Sequence, residues 1–409
     1  MTDATPTTEK PKEKKGFPKK RILADGVHQK AYRFALRPTD DQKTILAKTF
    51  GCTRFVWNQM LNDSILHYQA TGKHTIPTPA GYKSSYDWLK EVDSLALANA
   101  QLNLRKAFSA FFDKENPAGF PNFKKKSERQ SYTTNNQNAD SKQGGTIRLL
   151  GDGKYRQIKL PKIGYVEVIV HREIHGVIRS ATVTKEPSGD YFVSILCEHE
   201  IEKPAGTQSV VGIDLGLTDL ACLSDGTKIE NPKHLAKTQK KLNRELRKLA
   251  KQRDRIKRQD KNKRLSECKN YQKQRVKVAK LYQKLQNQRK DFLHKLTHML
   301  IQNHDVIMME NLAVKNMMKN HKLAKAIGDV AWGTIKNLLL YKANWYGKQV
   351  VLIDRFYPSS KTCHCCGFKA ATMPLSVRTW DCPECNTHHD RDVNAAINIK
   401  NEGIRYLTS

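Results

Sequence analysis

Four cysteines near the end of the chain, Cys363 and Cys366 followed by Cys382 and Cys385, are spaced C-x2-C-x15-C-x2-C. Two intervening residues let both thiolates of a pair meet one metal from a tight turn, and two such pairs complete a tetrahedral structural zinc site. Cys365 is a surplus thiol inside the first knuckle, and His364 or His389 offers a further donor, so the first pair leaves a choice of ligand. A redox CxxC rarely comes as two pairs. Cys52, Cys197, Cys222 and Cys268 stand singly, three of them in apolar settings, as inert thiols do. The odd total of nine cysteines argues against a disulfide framework. A zinc-held ribbon at this place immediately precedes the acidic segment Asp390-Arg391-Asp392 and so positions it.

Charge narrows the partner. The 409 residues carry 72 Lys and Arg against 40 Asp and Glu, a formal net charge of +32. A compact chain with that excess repels itself unless a polyanion neutralises it, which argues against an ordinary enzyme of small metabolites. Residues 237–290 alone hold 22 basic and four acidic side chains, whereas residues 354–409 hold seven and six. Leu242, Leu246 and Leu249 recur at helical spacing, as do Val278, Leu281 and Leu285, with polar Gln259-Asp260-Lys261-Asn262-Lys263 between. This predicts two antiparallel helices with a narrow apolar seam and basic outer faces. A merely solvated helix pair alternates its charges, and the scarcity of acids here points to phosphate contact. No apolar run is long enough for a membrane span, and residues 1–30 lack the apolar core of a signal peptide.

Periodicity divides the rest. Residues 1–27 read as a disordered basic tail. Residues 30–37 alternate like a strand and stop at Pro38, after which Thr39 with Gln42 marks a helix start. Leu46, Phe50, Trp57 and Leu61 give that helix an apolar stripe, and Leu95, Ala98, Leu102, Phe108 and Phe112 give another over about 94–112. At helical spacing these aromatics read as core, not as stacking platforms for bases. The basic triplet Lys124-Lys125-Lys126 is a candidate backbone contact. From about 146 to 200 the period changes to two, with a turn at Pro187-Ser188-Gly189-Asp190. A strand, a helical block and more strands fit a β-barrel with a helical insertion, and beyond 207 strands and helices intermix as in a separate α/β domain.

Three acids stand at strand ends or a helix start. Asp214 closes the apolar strand Val210-Val211-Gly212-Ile213, Glu310 closes Val306-Ile307-Met308-Met309, and Asp390-Arg391-Asp392 opens a helix. An unpaired carboxylate among apolar residues is costly and is usually neutralised by a partner or a metal. Asp390 or Asp392 can equally be a helix N-cap. Sugar-kinase-like ATPases open with a similar strand, but the Gly-rich phosphate loop they need is missing from the α/β part. Oxygen ligands suit Mg²⁺, and two ions roughly 3.5–4 Å apart can activate water and stabilise the leaving oxygen of a phosphodiester.

Taken together the motifs resemble the TnpB (OrfB) family, insertion-sequence-encoded RNA-guided nucleases and ancestor-like relatives of type V CRISPR effectors. The resemblance covers roughly residues 30–402. It rests on Phe34-x-Leu36-Arg37-Pro38-Thr39, Gly51-x-x-Arg54-Phe55-Val56-x-Asn58, Gly119-Phe120-Pro121-x-Phe123-Lys124 and Gly212-Ile213-Asp214-Leu215-Gly216. It continues through Arg289-Lys290-Asp291-Phe292-Leu293-His294-Lys295 and Tyr341-Lys342-Ala343-x-Trp345-Tyr346-Gly347. Ser359-Ser360-Lys361-Thr362-Cys363, Arg378-Thr379-Trp380 and Asp390-Arg391-Asp392-x-Asn394-Ala395-Ala396-x-Asn398-Ile399 are its most specific part. Asn386 stands where the family often has Gly, Cys365 adds a thiol, and the N-terminal extension exceeds the usual start.

The resemblance implies a mixed α/β, multidomain chain. A RuvC/RNase H-like nuclease domain is expected over 207–356 and 387–409, with the basic helical pair 237–290 inside it and a zinc ribbon at 357–386. An N-terminal wedge β-barrel is expected over 28–38 and 120–206, with a helical recognition insertion at 39–119. Asp214, Glu310 and Asp392 are then the catalytic acids and hold two Mg²⁺ ions, or Mn²⁺ in vitro; Asp392 precedes x-Asn-Ala-Ala as the family's acid does. One structural Zn²⁺ is expected on Cys363, Cys366, Cys382 and Cys385, and nucleic-acid contacts at Lys124, Lys125, Arg289 and Lys295. The implied partners are one guide RNA per protein and a target double-stranded DNA read beside a short adjacent motif, in a prokaryotic cytoplasm at the nucleoid. A compact type V CRISPR effector is an alternative of the same class. A guide-RNA-dependent DNA-binding repressor should lack an acid, and a single-strand transposase needs a His-hydrophobic-His motif that does not occur here. If about 6–10 phosphates are contacted, nucleic-acid affinity should fall roughly 10³–10⁵-fold between about 50 and 200 mM salt, measured by filter binding.

Overall fold

The computed structural model describes residues 23–24, 26–115, 118–126, 129–141, 145–321, 323–374 and 376–408. Of the tail expected over 1–27, residues 1–22 and 25 lie outside them. The first sheet has seven strands: β1 Val27–Arg37, β2 Gln130–Asn135, β3 Arg148–Leu150, β4 Tyr155–Leu160, β5 Gly164–Ile169, β6 Val177–Lys185 and β7 Tyr191–Glu200. Their order is β2-β6-β7-β1-β5-β4-β3, antiparallel throughout. Period-two alternation buries Tyr32, Phe34 and Leu36 of β1 against Val166, Val168, Val193 and Ile195. Among the described residues no ladder joins the outer strands β2 and β3. Instead the Ile147 amide donates to Asn136 Oδ1 at 2.7 Å and the Thr146 amide to the Gln137 carbonyl at 3.1 Å.

Two helices are inserted after β1, α1 Asp40–Thr71 and α2 Ser94–Phe111. The predicted start at Thr39 is a full capping box with Gln42, and α1 ends on Gly72 in the left-handed region. Leu61, Val56, Trp57, Leu97, Leu104 and Phe108 form their shared core, whereas Phe112 lies exposed just past the end of α2.

The second sheet contains β8 Val210–Asp214, β9 Asp219–Leu223, β10 Lys228–Glu230, β11 Val306–Glu310 and β12 Gln349–Ile353, in the order β10-β9-β8-β11-β12. The chain starts at the centre, turns back antiparallel through β9 and β10, then crosses to β11, which runs parallel to β8 and β12. That crossing is α3 His234–Gln259 and α4 Lys269–Asn303. Leu242, Val278 and Leu285 form the predicted seam, with Leu246, Leu249 and Leu281 at its edge. Buried Glu245 accepts a 2.9 Å hydrogen bond from Gln274 across the pair, which fixes its register. After β11 come α5 Val314–Met317, α6 Ala324–Val330 and α7 Trp332–Tyr346. The small strands β13 Thr379–Asp381 and β14 His388–Asp390 pair antiparallel, and α8 Arg391–Thr408 ends the fold.

Alternation assigns the two faces of this sheet. Val211, Ile213, Ile307 and Met309 pack with Leu293, Leu300 and Trp332 of α4 and α7. On the other face Met308 and Ile353 meet Ile399 of α8. Helix α8 comes so close that a Cβ at Gly212 would overlap the Ala396 carbonyl oxygen and lie 2.7 Å from the Lys400 amide nitrogen. Backbone cannot yield there, so Gly212→Ala should cost about 1–3 kcal/mol, read as a lower urea midpoint. Gly403→Ala should cost less, because the three atoms nearest its Cβ belong to the Met308 side chain, which can shift more readily than backbone.

Candidate active site

In an open α/β sheet, ligands bind beyond the carboxyl ends of strands where the strand order reverses. Here the reversal lies between β8 and β11, and those strands end in Asp214 and Glu310. Ile213 pairs with Met309 in parallel register, so the two acids occupy the next position on neighbouring strands. Both share a face with Gly212 and Met308, the face covered by α8. The packing of α8 at Gly212 brings Asp392, in its first turn, to the same end. Burial, and then the charges of Glu310 and Asp392, push the Asp214 carboxyl up to about 7. Glu310 is also raised by burial, although Ser359 Oγ donates to its Oε1 at 2.7 Å and opposes the shift.

The two candidate caps of α8 now separate. Asp390 Oδ1 accepts from the amides of Asp392 and Val393, both at 3.1 Å, and its Oδ2 pairs with Lys228 at 2.6 Å. Asp390 is therefore the N-cap. Asp392 is left facing the carboxylate site, with a longer 3.4 Å contact to Arg378. A cavity of about 400 Å³ opens beside Glu310, lined by Leu215, Asn316, Trp332, Lys336 and Asn337 among others.

The four knuckle thiols converge. Cys363 Sγ lies 3.6 Å from Cys385 Sγ and Cys366 Sγ 3.5 Å from Cys382 Sγ, close to the edge of about 3.8 Å that a ZnS4 tetrahedron with 2.3 Å bonds requires. Cys363, Cys365 and buried His389 form a second, three-membered set, with Cys363 Sγ 3.1 Å from His389 Nε2. The first set supplies four donors of one type, and Gly367 and Asn386, each in the left-handed region just past a knuckle, turn the chain there. Asn386 thus meets the conformational demand that glycine would. Among the described residues these are the sets of three or more His, Cys, Asp or Glu with ligand atoms within 4.8 Å of one another; the three carboxylates are spaced more widely.

Helix α8 ties the ribbon to the carboxylates. Asn394 Nδ2 donates to the Thr362 carbonyl at 2.8 Å while its Oδ1 accepts from the His364 amide at 3.0 Å. Asn398 donates to the carbonyls of Ser359 and Thr362 at 2.8 and 2.6 Å. These contacts escaped the sequence reading, which gave Ser359, Asn394 and Asn398 no role. Two buried asparagines at i and i+4 on one face of α8 were the available signal.

The four candidate nucleic-acid contacts fare differently. Lys124 lies over the Trp57 ring at 3.8 Å, and with Lys125, Arg54 and Arg129 it lines one cavity. Arg289 is instead engaged inside the fold by Asp329 at 2.6 Å. Lys295 pairs with Asp291 at 2.8 Å on the exposed surface of α4.

Family models match three stretches: residues 28–73 to a "Helix-turn-helix domain", 194–321 to a "Probable transposase", and 332–399 to a "Cas12f1-like, TNB domain". The first stretch is here strand β1 followed by the single helix α1. A relative from Streptomyces pristinaespiralis, named as a candidate RNA-guided DNA endonuclease, is 34% identical over 394 residues, 92% of this chain and 90% of its own. A relative from Escherichia coli K12, InsQ, named likewise, is 31% identical over 92% of this chain and 93% of its own. Among solved structures, a Cas12f1–sgRNA–target DNA complex contains a chain of like fold, at a TM-score of 0.60 and 13% identity, covering 92% of this chain and 99% of that one. Among the described residues no helix is long and apolar enough to cross a membrane.

The raised Asp214 has a consequence for stability. Its folded value of about 7 exceeds the ordinary 3.8, so as pH rises between the two the unfolded chain loses a proton that the native state keeps. Stability therefore falls across that window. Without divalent cations, the urea midpoint of the wild type should decline more steeply from about pH 4 to 7 than that of Asp214→Asn.

Proposed function

The chain belongs to the TnpB (OrfB) family, and on that premise we propose that it is an RNA-guided DNA endonuclease. It binds a guide RNA derived from its own element, reads a short motif beside the target, and hydrolyses target DNA at Asp214, Glu310 and Asp392. The observation that carries this reading is the meeting of three carboxylates at one sheet end, where Asp214 is raised by burial and by its two acidic neighbours. Such a like-charged cluster is relieved by cations, and its all-oxygen donor set fits magnesium. When bound, two magnesium ions supply charge stabilisation for the phosphoryl oxygens and lower the pKa of the attacking water.

The chain's own residues hold and orient. Asp214 and Glu310 project from adjacent strands on a sheet that cannot shift without breaking its ladder, and Asp392 from a helix locked at Gly212. The cavity beside Glu310 has space for part of a nucleotide, with Lys336 at its wall as a cation for phosphate. The mixed sheet, with acids at its order reversal, supports a RuvC/RNase H-like domain over 207–356 and 387–409. The cysteine geometry supports a zinc ribbon over 357–386. The antiparallel sheet and inserted helices support a wedge domain over 28–38 and 120–206 with a recognition insertion at 39–119.

The basic faces of α3 and α4 follow the phosphates of guide and heteroduplex, while base pairing supplies sequence. Such a protein works as one copy per guide RNA, in the cytoplasm at the nucleoid. Asp214→Ala should reduce cleavage of guide-matched DNA to background while RNA still copurifies, because the substitution removes a cation ligand and no core contact. Cleavage at the wild-type rate by that variant would sink the assignment.

A further inference from the structure

Glu310 ends the strand beside Asp214, a carboxylate of its own charge, on a side chain with three rotatable bonds. Left free, it would swing away from Asp214 to lessen the repulsion. Ser359 opposes that motion, with its Oγ donating to Glu310 Oε1 at 2.7 Å. The serine is buried, 6% exposed, and its backbone is held at both polar groups. Its amide donates to the Tyr357 carbonyl at 2.8 Å, and its carbonyl accepts from Asn398 Nδ2 at 2.8 Å. Tyr357 packs against Met308, Ile353 and Ile399, and Asn398 also holds the Thr362 carbonyl, one residue before the first knuckle cysteine. The place of the hydroxyl is thus set by α8 and the start of the ribbon.

A neutral donor suits this position. A lysine or arginine would cancel the charge that attracts a cation, whereas a hydroxyl orients the carboxylate and leaves its charge intact. The nearby cation Lys336 is itself directed to Asn311 Oδ1, at 2.7 Å.

We propose that Ser359 is a positioning residue, holding the Glu310 carboxylate at the sheet end beside Asp214. One helix, α8, then sets two of the three acids: Asp392 directly, and Glu310 through Asn398 and Ser359. The proposal rests on the nuclease reading above. It also gives the ribbon a task at the carboxylate site besides carrying the chain to Asp392.

The test compares Ser359→Ala and Ser359→Thr with wild type and Asp214→Ala, each as the full chain with its guide RNA. Partners of ligating carboxylates are typically worth about 10–100-fold in metal affinity or activity. Ser359→Ala should therefore raise the Mg²⁺ concentration for half-maximal cleavage by about that factor. It should weaken Mn²⁺ binding to the RNA-free chain similarly, followed by the free-ion electron paramagnetic resonance signal. Ser359→Thr, which keeps the hydroxyl, should restore both. Melting temperature, zinc content and RNA copurification should stay at wild-type values in both variants. Wild-type Mg²⁺ dependence and Mn²⁺ binding in Ser359→Ala would overturn the proposal. So would a loss of zinc or of melting temperature that accounts for the defect, because the serine would then serve only the fold. If Asp214→Ala cleaves normally, the nuclease site itself is misassigned; if it is inactive while Ser359→Ala behaves as wild type, only the role of Ser359 falls.

Discussion

The backbone of α8 rests directly on strand β8, with the Ala396 carbonyl occupying the place a side chain at residue 212 would take. Much of the candidate site depends on this contact. It fixes the height of the helix along the sheet, and so carries Asp392 to the end where β8 and β11 deliver Asp214 and Glu310. It also turns Asn394 and Asn398 toward the first knuckle, where both donate to the Thr362 carbonyl just before it and Asn394 accepts from the His364 amide. A helix held off by a methyl group would displace all three side chains together.

The carboxylate end carries an energetic conflict that the fold sustains. Burial and like charge push Asp214 upward, and Glu310 is raised by burial as well. Structural acids elsewhere in the chain are treated in the opposite way. Asp305 is held down to about 2 by Lys348 and by backbone amides, and Asp390 is satisfied by Lys228 and two amides. The contrast separates carboxylates that the fold neutralises closely from carboxylates that it leaves crowded, with Arg378 only at 3.4 Å from Asp392. Crowded acids with so little close counter-charge are what a cation site needs before it fills.

Several elements were legible from local pattern alone. The capping box at Thr39, the alternation of β1, the apolar seam of α3 and α4 and the two knuckles each depend on residues close in sequence. The singly placed Cys52, Cys197 and Cys222 are buried, as their apolar settings implied. What escaped was contact between distant segments. By local pattern either Asp390 or Asp392 could cap α8; the amides on Asp390 Oδ1 make it the cap, and Lys228, 162 residues earlier, holds its other oxygen. The ion pair between Arg289, read as a phosphate contact, and Asp329, 40 residues later, was likewise not legible. The strands read as a barrel form one seven-stranded sheet whose outer members, among the described residues, meet through flanking turns without a ladder.

The sequence by itself determined which chemistry was possible: thiols paired for one zinc, acids at the ends of apolar strands, and a dense basic helix pair between two of those acids. Such features follow from side-chain type and short-range spacing, which the chain carries wherever it folds. The tertiary structure decided which groups face one another. Strand register placed Asp214 and Glu310 side by side, close packing at Gly212 brought Asp392 to them, and Asn398 set Ser359 against Glu310. These relations join residues up to about 180 positions apart, and only packing that excludes every other arrangement can specify them.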